Sequence, residues 1–122
     1  MTFLFFGVFG LSAQTDSTFY IQESVGRLAT HLQLPQTGGN KKLPVVILCH
    51  GFMGNMDNEL FNDISADLVA KGIGVVRFDF NGHGKSDGEF QHMTVLNEIE
   101  DVKEVIRWIR NQDFTKNISL LG

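Results

Sequence analysis

Cysteine and positive charge are both scarce in this chain, and no long hydrophobic run is present. One cysteine in 122 residues excludes an internal disulfide and a cysteine-based zinc site. Cys49 lies inside an apolar stretch and reads as a small buried hydrophobe rather than a reactive thiol. It cannot form a dyad with His50, because adjacent strand residues point to opposite faces. Ten Lys and Arg stand against fourteen Asp and Glu, for a net charge of −4. The cations are scattered singly or in one pair, so there is no basic face for nucleic acid. No apolar run reaches the roughly 20 residues of a bilayer crossing, so no stable membrane span is expected. A hydrophobic fraction of 43% and a charged fraction of 20% belong to a globular chain, long enough for one small domain and not two. No internal repeat or low-complexity segment occurs.

The first residues differ in kind from the rest. Phe3 to Leu11 is almost wholly apolar, and Ser12-Ala13 then meets polar Gln14-Thr15-Asp16. This fits the apolar region of a secretory signal peptide over residues 1–13, cleaved after Ala13. No Lys or Arg precedes the run, and Leu11 is large for its place before a cleavage site; the alternative is a buried N-terminal strand. The signal reading places the mature protein outside the cytoplasm, secreted or periplasmic, with residues 14–122 as its domain.

Within that domain the chain is organised around Val45-Val46-Ile47-Leu48-Cys49-His50-Gly51-Phe52. An unbroken apolar run rich in β-branched residues predicts a strand buried on both faces, the kind found in parallel sheets. Thr18–Glu23 and Arg27–Leu34 flank Gly26 and predict an antiparallel hairpin at a sheet edge. After the central strand, Asn55-Met56-Asp57-Asn58 offers helix N-caps. Leu60, Phe61, Ile64, Leu68 and Val69 recur at helical spacing, and Gly72 is placed to end the helix. Val75–Phe80 predicts a second buried strand. From Thr94 the period is helical again, with Val95, Ile99, Val102, Ile106 and Ile109 on one face. Glu100 with Lys103 and Glu104 with Arg107 are spaced to pair along it. Ile118–Leu121 begins a third apolar strand that runs into Gly122. Strands alternating with helices predict an α/β fold: a mostly parallel sheet with an antiparallel leading hairpin.

The glycine-rich loop Asn81–Gly88 invites a phosphate-binding reading, which the spacing rejects. A P-loop ending Gly84-Lys85-Ser86 needs a glycine where Asp79 stands. Gly82, Gly84 and Gly88 are one residue too widely spaced for a dinucleotide fingerprint, and neither loop leads directly into a helix. Gly84-Lys85-Ser86-Asp87-Gly88 also matches the nucleophile elbow Gly-x-Ser-x-Gly. That motif works only as a sharp strand-to-helix turn, and here no helix start follows, so Ser86 reads as a turn residue. Arg77 and Asp79 lie on one face of their strand, placed to pair with each other or to hold the loop.

His50-Gly51-Phe52, Arg77-x-Asp79-x-x-Gly82-x-Gly84-x-Ser86 and the strand ending at Gly122 resemble the α/β-hydrolase superfamily in order and spacing. The resemblance covers Val45 to Gly122. Phe90-Gln91-His92-Met93-Thr94 and Asn97–Val102 are most similar to bacterial feruloyl (cinnamoyl) esterases and their serine-aminopeptidase-like relatives. The resemblance implies the N-terminal half of an α/β-hydrolase fold and a serine hydrolase of carboxylic esters, with a small-molecule ester substrate and neither cofactor nor metal. It implies that the Phe52 backbone N–H is one oxyanion donor, with His50, Gly51, Arg77, Asp79, Gly82, Gly84, Ser86 and Gly122 supporting the motifs. It also implies a nucleophile two residues beyond Gly122, with acid and base farther on. A fragment inactive by itself is therefore expected. The alternatives are a same-fold aminopeptidase or monoacylglycerol lipase, or a non-catalytic binding module.

Overall fold

The computed structural model describes residues 15–24, 26–36, 41–51 and 53–122. The expected signal peptide and Phe52 lie outside the described residues. Five strands form one sheet: β1 (Thr15–Gln22), β2 (Arg27–Leu34), β3 (Leu43–Cys49), β4 (Gly74–Phe78) and β5 (Thr115–Leu121). Their spatial order is β1-β2-β4-β3-β5. β2 runs antiparallel to both neighbours, while β3 is parallel to β4 and to β5. Four strands therefore point one way and β2 alone is reversed. This is the mixed α/β sheet expected, with the hairpin docked on β4 rather than on β3, which follows it in the chain.

Side-chain alternation assigns the two faces of the sheet. Val45 and Ile47 of β3 join Val76 and Phe78 of β4, Leu28 and Leu32 of β2, and Val105 and Ile109 in one core cluster. Leu48 and Val75 face the other way, against Phe61 and Val69, with Val46 packed alongside. The central strand is thus covered on both faces, as an apolar run without alternation requires.

Helix α1 (Glu59–Ala70) supplies the second cover. Its N-cap is Asn58, whose side chain accepts from the Phe61 N–H. It ends in a Schellman turn: Gly72 N donates to Val69 O and Ile73 N to Leu68 O, with Gly72 at φ +86°, a conformation that favours glycine. Helix α2 (Val95–Arg110) covers the first face and starts at the expected Thr94 cap, which accepts from Asn97 N. The exposed pairs Lys103–Glu100 and Arg107–Glu104 form as the spacing implied.

The apolar stripe predicted for α2 is only half correct. Its buried residues are Asp101, Val105 and Ile109, with Val102 and Ile106 packed at the margin. Val95, at 71%, and Ile99, at 46%, are exposed. The seam accommodates Asp101 because Asn81, across the interface, donates two hydrogen bonds to it. A polar side chain so matched can occupy a buried helical position. Among the described residues, no helix is long and apolar enough to cross a membrane.

Candidate active site

The C-terminal ends of β3 and β4 lie side by side, and both lead into loops closed by buried side chains. After β3 the chain turns tightly, with Gly54 N donating to Gly51 O at 2.9 Å. Met53, next to last in the turn, has φ +61°, an uncommon conformation for a residue other than glycine. The turn's first peptide is fixed by His50, whose Nδ1 meets Gly51 O at 2.8 Å. The other ring nitrogen, Nε2, accepts the Phe80 N–H at 3.1 Å. A carbonyl on one side and an N–H on the other fix one neutral tautomer, protonated at Nδ1. Burial holds the His50 pKa below the ordinary histidine value, against a smaller opposing effect of the Gly51 carbonyl. With both nitrogens engaged, His50 positions the turn and has no lone pair left to accept a substrate proton. Phe52, the expected oxyanion donor, sits between Gly51 and Met53 and lies outside the described residues.

Arg77 and Asp79 do not pair with each other; each holds the loops. Asp79, 1% exposed, accepts from Met56 N at 2.7 Å through Oδ1 and from Lys85 N at 2.9 Å through Oδ2. One carboxylate thus staples the loop before α1 to the loop after β4. Arg77 donates to Met56 O at 3.2 Å and to Asn62 Oδ1 at 2.7 Å, and reaches His31 and Gln33 on β2. Met56 is therefore gripped at its N–H by Asp79 and at its carbonyl by Arg77.

The loop after β4 is closed by its own polar groups. Gly82 N donates to Asp87 O at 2.9 Å. Gly84, at φ +49°, lies so close to Asp79 that a Cβ there would meet Oδ2 at 2.2 Å. Only glycine leaves room for the carboxylate. Ser86 Oγ donates to Asp79 O at 2.5 Å and accepts from Ala29 N at 2.7 Å, so its hydroxyl serves backbone groups. Among the described residues, no serine hydroxyl is hydrogen-bonded to a histidine. Gly122 lies beside the end of β3: a Cβ there would sit 3.6 Å from the Cys49 carbonyl oxygen. Burial raises the Cys49 thiol to about 11, which leaves it protonated and unreactive at neutral pH. Among the described residues, no group of three or more His, Cys, Asp and Glu is placed to hold a metal ion.

Three residues of this network carried no role in the sequence. Asn81 N and Nδ2 each donate to Asp101 at 2.8 Å. His83, 5% exposed, donates from Nδ1 to Asn81 O at 3.1 Å and packs against His50 at 4.9 Å between ring centroids. Asp101 is fully buried, and desolvation, with a side-chain hydrogen bond to Glu23 adding to it, raises its carboxyl to about 7. The available signal was an i, i+4, i+8 register through Asp101, Val105 and Ile109, hidden because one member is charged.

Comparison with known proteins agrees with this geometry. The family model of the X-Pro dipeptidyl-peptidases (S15 family) matches residues 26–121. A 31.7 kDa Escherichia coli protein from the traX-finO intergenic region is 34% identical over 90 residues, 74% of this chain and 30% of its own length. Among solved structures, Est1E from Butyrivibrio proteoclasticus with ferulic acid bound superposes with a TM-score of 0.81 at 29% identity, over 85% of this chain and 41% of Est1E. XC6422 from Xanthomonas campestris, an α/β serine hydrolase without a lid, gives a TM-score of 0.73 at 28% identity, over 93% of this chain and 51% of its own. The chain therefore spans about a third to a half of these proteins.

Proposed function

The chain belongs to the X-Pro dipeptidyl-peptidase (S15) family, within the α/β serine hydrolases, and on that premise we propose that it forms the oxyanion side of a serine carboxylic-ester hydrolase resembling feruloyl esterases. The observation that carries this reading is the turn after β3. His50 and Gly54 converge on the Gly51 carbonyl, and Asp79 and Arg77 clamp Met56 just beyond it. A backbone N–H between such fixed points can face developing negative charge without reorganising. Phe52 supplies that N–H in this reading.

The nucleophilic serine, its acid and its histidine are assigned to the part of the hydrolase domain outside these 122 residues. The short span of the match on Est1E and the E. coli relative supports this assignment. So does the engagement of His50 and Ser86 with backbone groups. In the complete enzyme, serine attacks the ester carbonyl, the oxyanion forms against Phe52 N–H, the alcohol leaves, and water releases the acyl-enzyme. The signal-peptide reading puts the enzyme outside the cytoplasm; an N-terminus at Gln14 in the mature protein would support it.

The test uses the complete gene product and p-nitrophenyl butyrate. Turnover and covalent labelling by a fluorophosphonate are expected, and neither with the 122-residue chain alone. Phe52→Pro, which deletes the N–H, should lower kcat by about 100- to 1000-fold, and Phe52→Leu far less. Equal losses would rule out the oxyanion role. The peptidase description of the family favours a second reading, cleavage after an X-Pro dipeptide. Gly-Pro-p-nitroanilide hydrolysed in preference to methyl ferulate would select it.

A further inference from the structure

Two carboxyl groups are buried together behind the turn. Asp101 is wholly inaccessible and Glu23 is 7% exposed, and their carboxyl groups lie within reach of a side-chain hydrogen bond. A hydrogen bond between two carboxyls requires one of them to hold a proton. Glu23 follows β1, Asn81 belongs to the loop after β4, and Asp101 lies on α2. Three elements therefore meet at this one point.

From here a series of hydrogen bonds runs to the candidate site. Asp101 accepts both the backbone and side-chain N–H of Asn81. The residue before it, Phe80, donates its N–H to His50 Nε2. His50 Nδ1 then donates to the Gly51 carbonyl, which also accepts from Gly54 N. Asn81 O holds His83, whose ring packs on His50.

We propose that the Glu23–Asp101 carboxyl pair is the positioning group of the Gly51–Gly54 turn, acting through Asn81, Phe80 and His50. The proposal rests on the reading of that turn as an oxyanion site. Neither acid touches the turn, so neither is a catalytic residue. While the pair shares a proton it carries one negative charge, met by two N–H donors of Asn81. Losing the proton places two like charges in contact away from water. The Asn81 clamp then loosens, and Phe80 and His50 loosen with it.

The neighbouring charged groups come from each element packed there. The hairpin contributes Glu23 itself and Arg27, which pairs with Asp87 of the loop in an exposed contact. The loop also contributes His83. On α2, Glu98 stands one turn before Asp101, and the Lys103–Glu100 and Arg107–Glu104 pairs lie toward solvent. The raised Asp101 carboxyl supports retention of the shared proton into the neutral range. The folded state holds that proton, which the unfolded chain releases at its ordinary value of 3.8. The stability from the pair is thus complete below about pH 4 and is lost as the pH rises through about 7.

The experiment uses the complete gene product, three variants and p-nitrophenyl butyrate. Asp101→Ala should lower kcat by about tenfold or more with little change in KM. Asp101→Asn, which keeps an acceptor for Asn81 N–H, should restore most of it. Glu23→Gln replaces the shared proton with an amide N–H. Its kcat relative to wild type should rise severalfold between about pH 6 and pH 9. By NMR, the His50 ring should titrate below the ordinary histidine value in wild type and near it in Asp101→Ala. A flat Glu23→Gln ratio, a loss confined to KM, or an unmoved His50 titration overturns the proposal. Should Asp101→Ala fail to fold, Glu23→Gln decides through kcat and through urea unfolding, where it should abolish the wild-type decline toward neutral pH. An inactive wild-type protein would instead defeat the hydrolase reading. The His50 titration would still decide whether the pair positions the turn.

Discussion

The edge where β3 and β4 end and the first half of α2 depart from ordinary side-chain partition in opposite directions. The edge buries Arg77, Asp79, Asn81, His50 and His83. The helix turns Val95, Leu96 and Ile99 outward, with Val95 and Ile99 beside Leu120 of β5. Buried polar groups demand partners at set distances and angles. Asp79 can satisfy Met56 N and Lys85 N together only in one arrangement of two loops. Exposed apolar groups make no directional demand. The N-terminal end of α2 is fixed by its own backbone ladder and the Thr94 cap. Directional constraint therefore belongs to the polar edge, while the helix flank is open to substitution.

That contrast can be broken most directly at Asp79. Asp79→Ala orphans two loop N–H groups at about 1–3 kcal/mol each, so a loss of about 2–6 kcal/mol is expected in urea unfolding. A change below about 1 kcal/mol would mean water replaces the carboxylate and the edge is not specified by it. Gly84→Ala comes next. Its Cβ would collide with the Asp79 carboxylate at φ +49°. Left-handed strain of about 1–2 kcal/mol and overpacking of about 1–3 kcal/mol add to about 2–5 kcal/mol. An equal effect of Gly84→Ala in an Asp79→Ala background would show that backbone strain, not the carboxylate, requires glycine there. The smallest effect belongs to the flank. Leu96→Ser, at a position 73% exposed, should shift stability by no more than about 0.5 kcal/mol in this chain. A loss above about 1.5 kcal/mol would mean the flank is covered by self-association, and a concentration-dependent melting temperature would identify it.

Much of the fold was legible because its signals are local. The apolar run Val45–Leu48 required cover on both faces, and α1 and α2 supply it. Asn58, Thr94 and Gly72 act as the caps and stop that their side chains and backbone freedom imply. The site was legible in outline only. His50, Arg77, Asp79 and the glycines stood out as a spaced set, but spacing does not say which atom each will meet. Arg77 and Asp79 shared a strand face, and proximity suggested a pair, yet both turned to Met56. Asp101 was missed because an acid in an apolar seam looks like a surface residue until its partner is known.

By itself, then, the amino-acid order determined the types of element, their succession and the glycine-rich loops at the ends of buried strands. These follow from hydrophobic period, capping chemistry and backbone freedom, which act over a few residues. Only tertiary structure decided that β2 docks on β4, that Met56 is held from two sides, and that Asp101 is buried against Asn81. Each of these joins groups distant in the chain. A buried polar atom's environment is set by whichever distant partner reaches it, and hydrogen-bond geometry, unlike apolar burial, accepts very few.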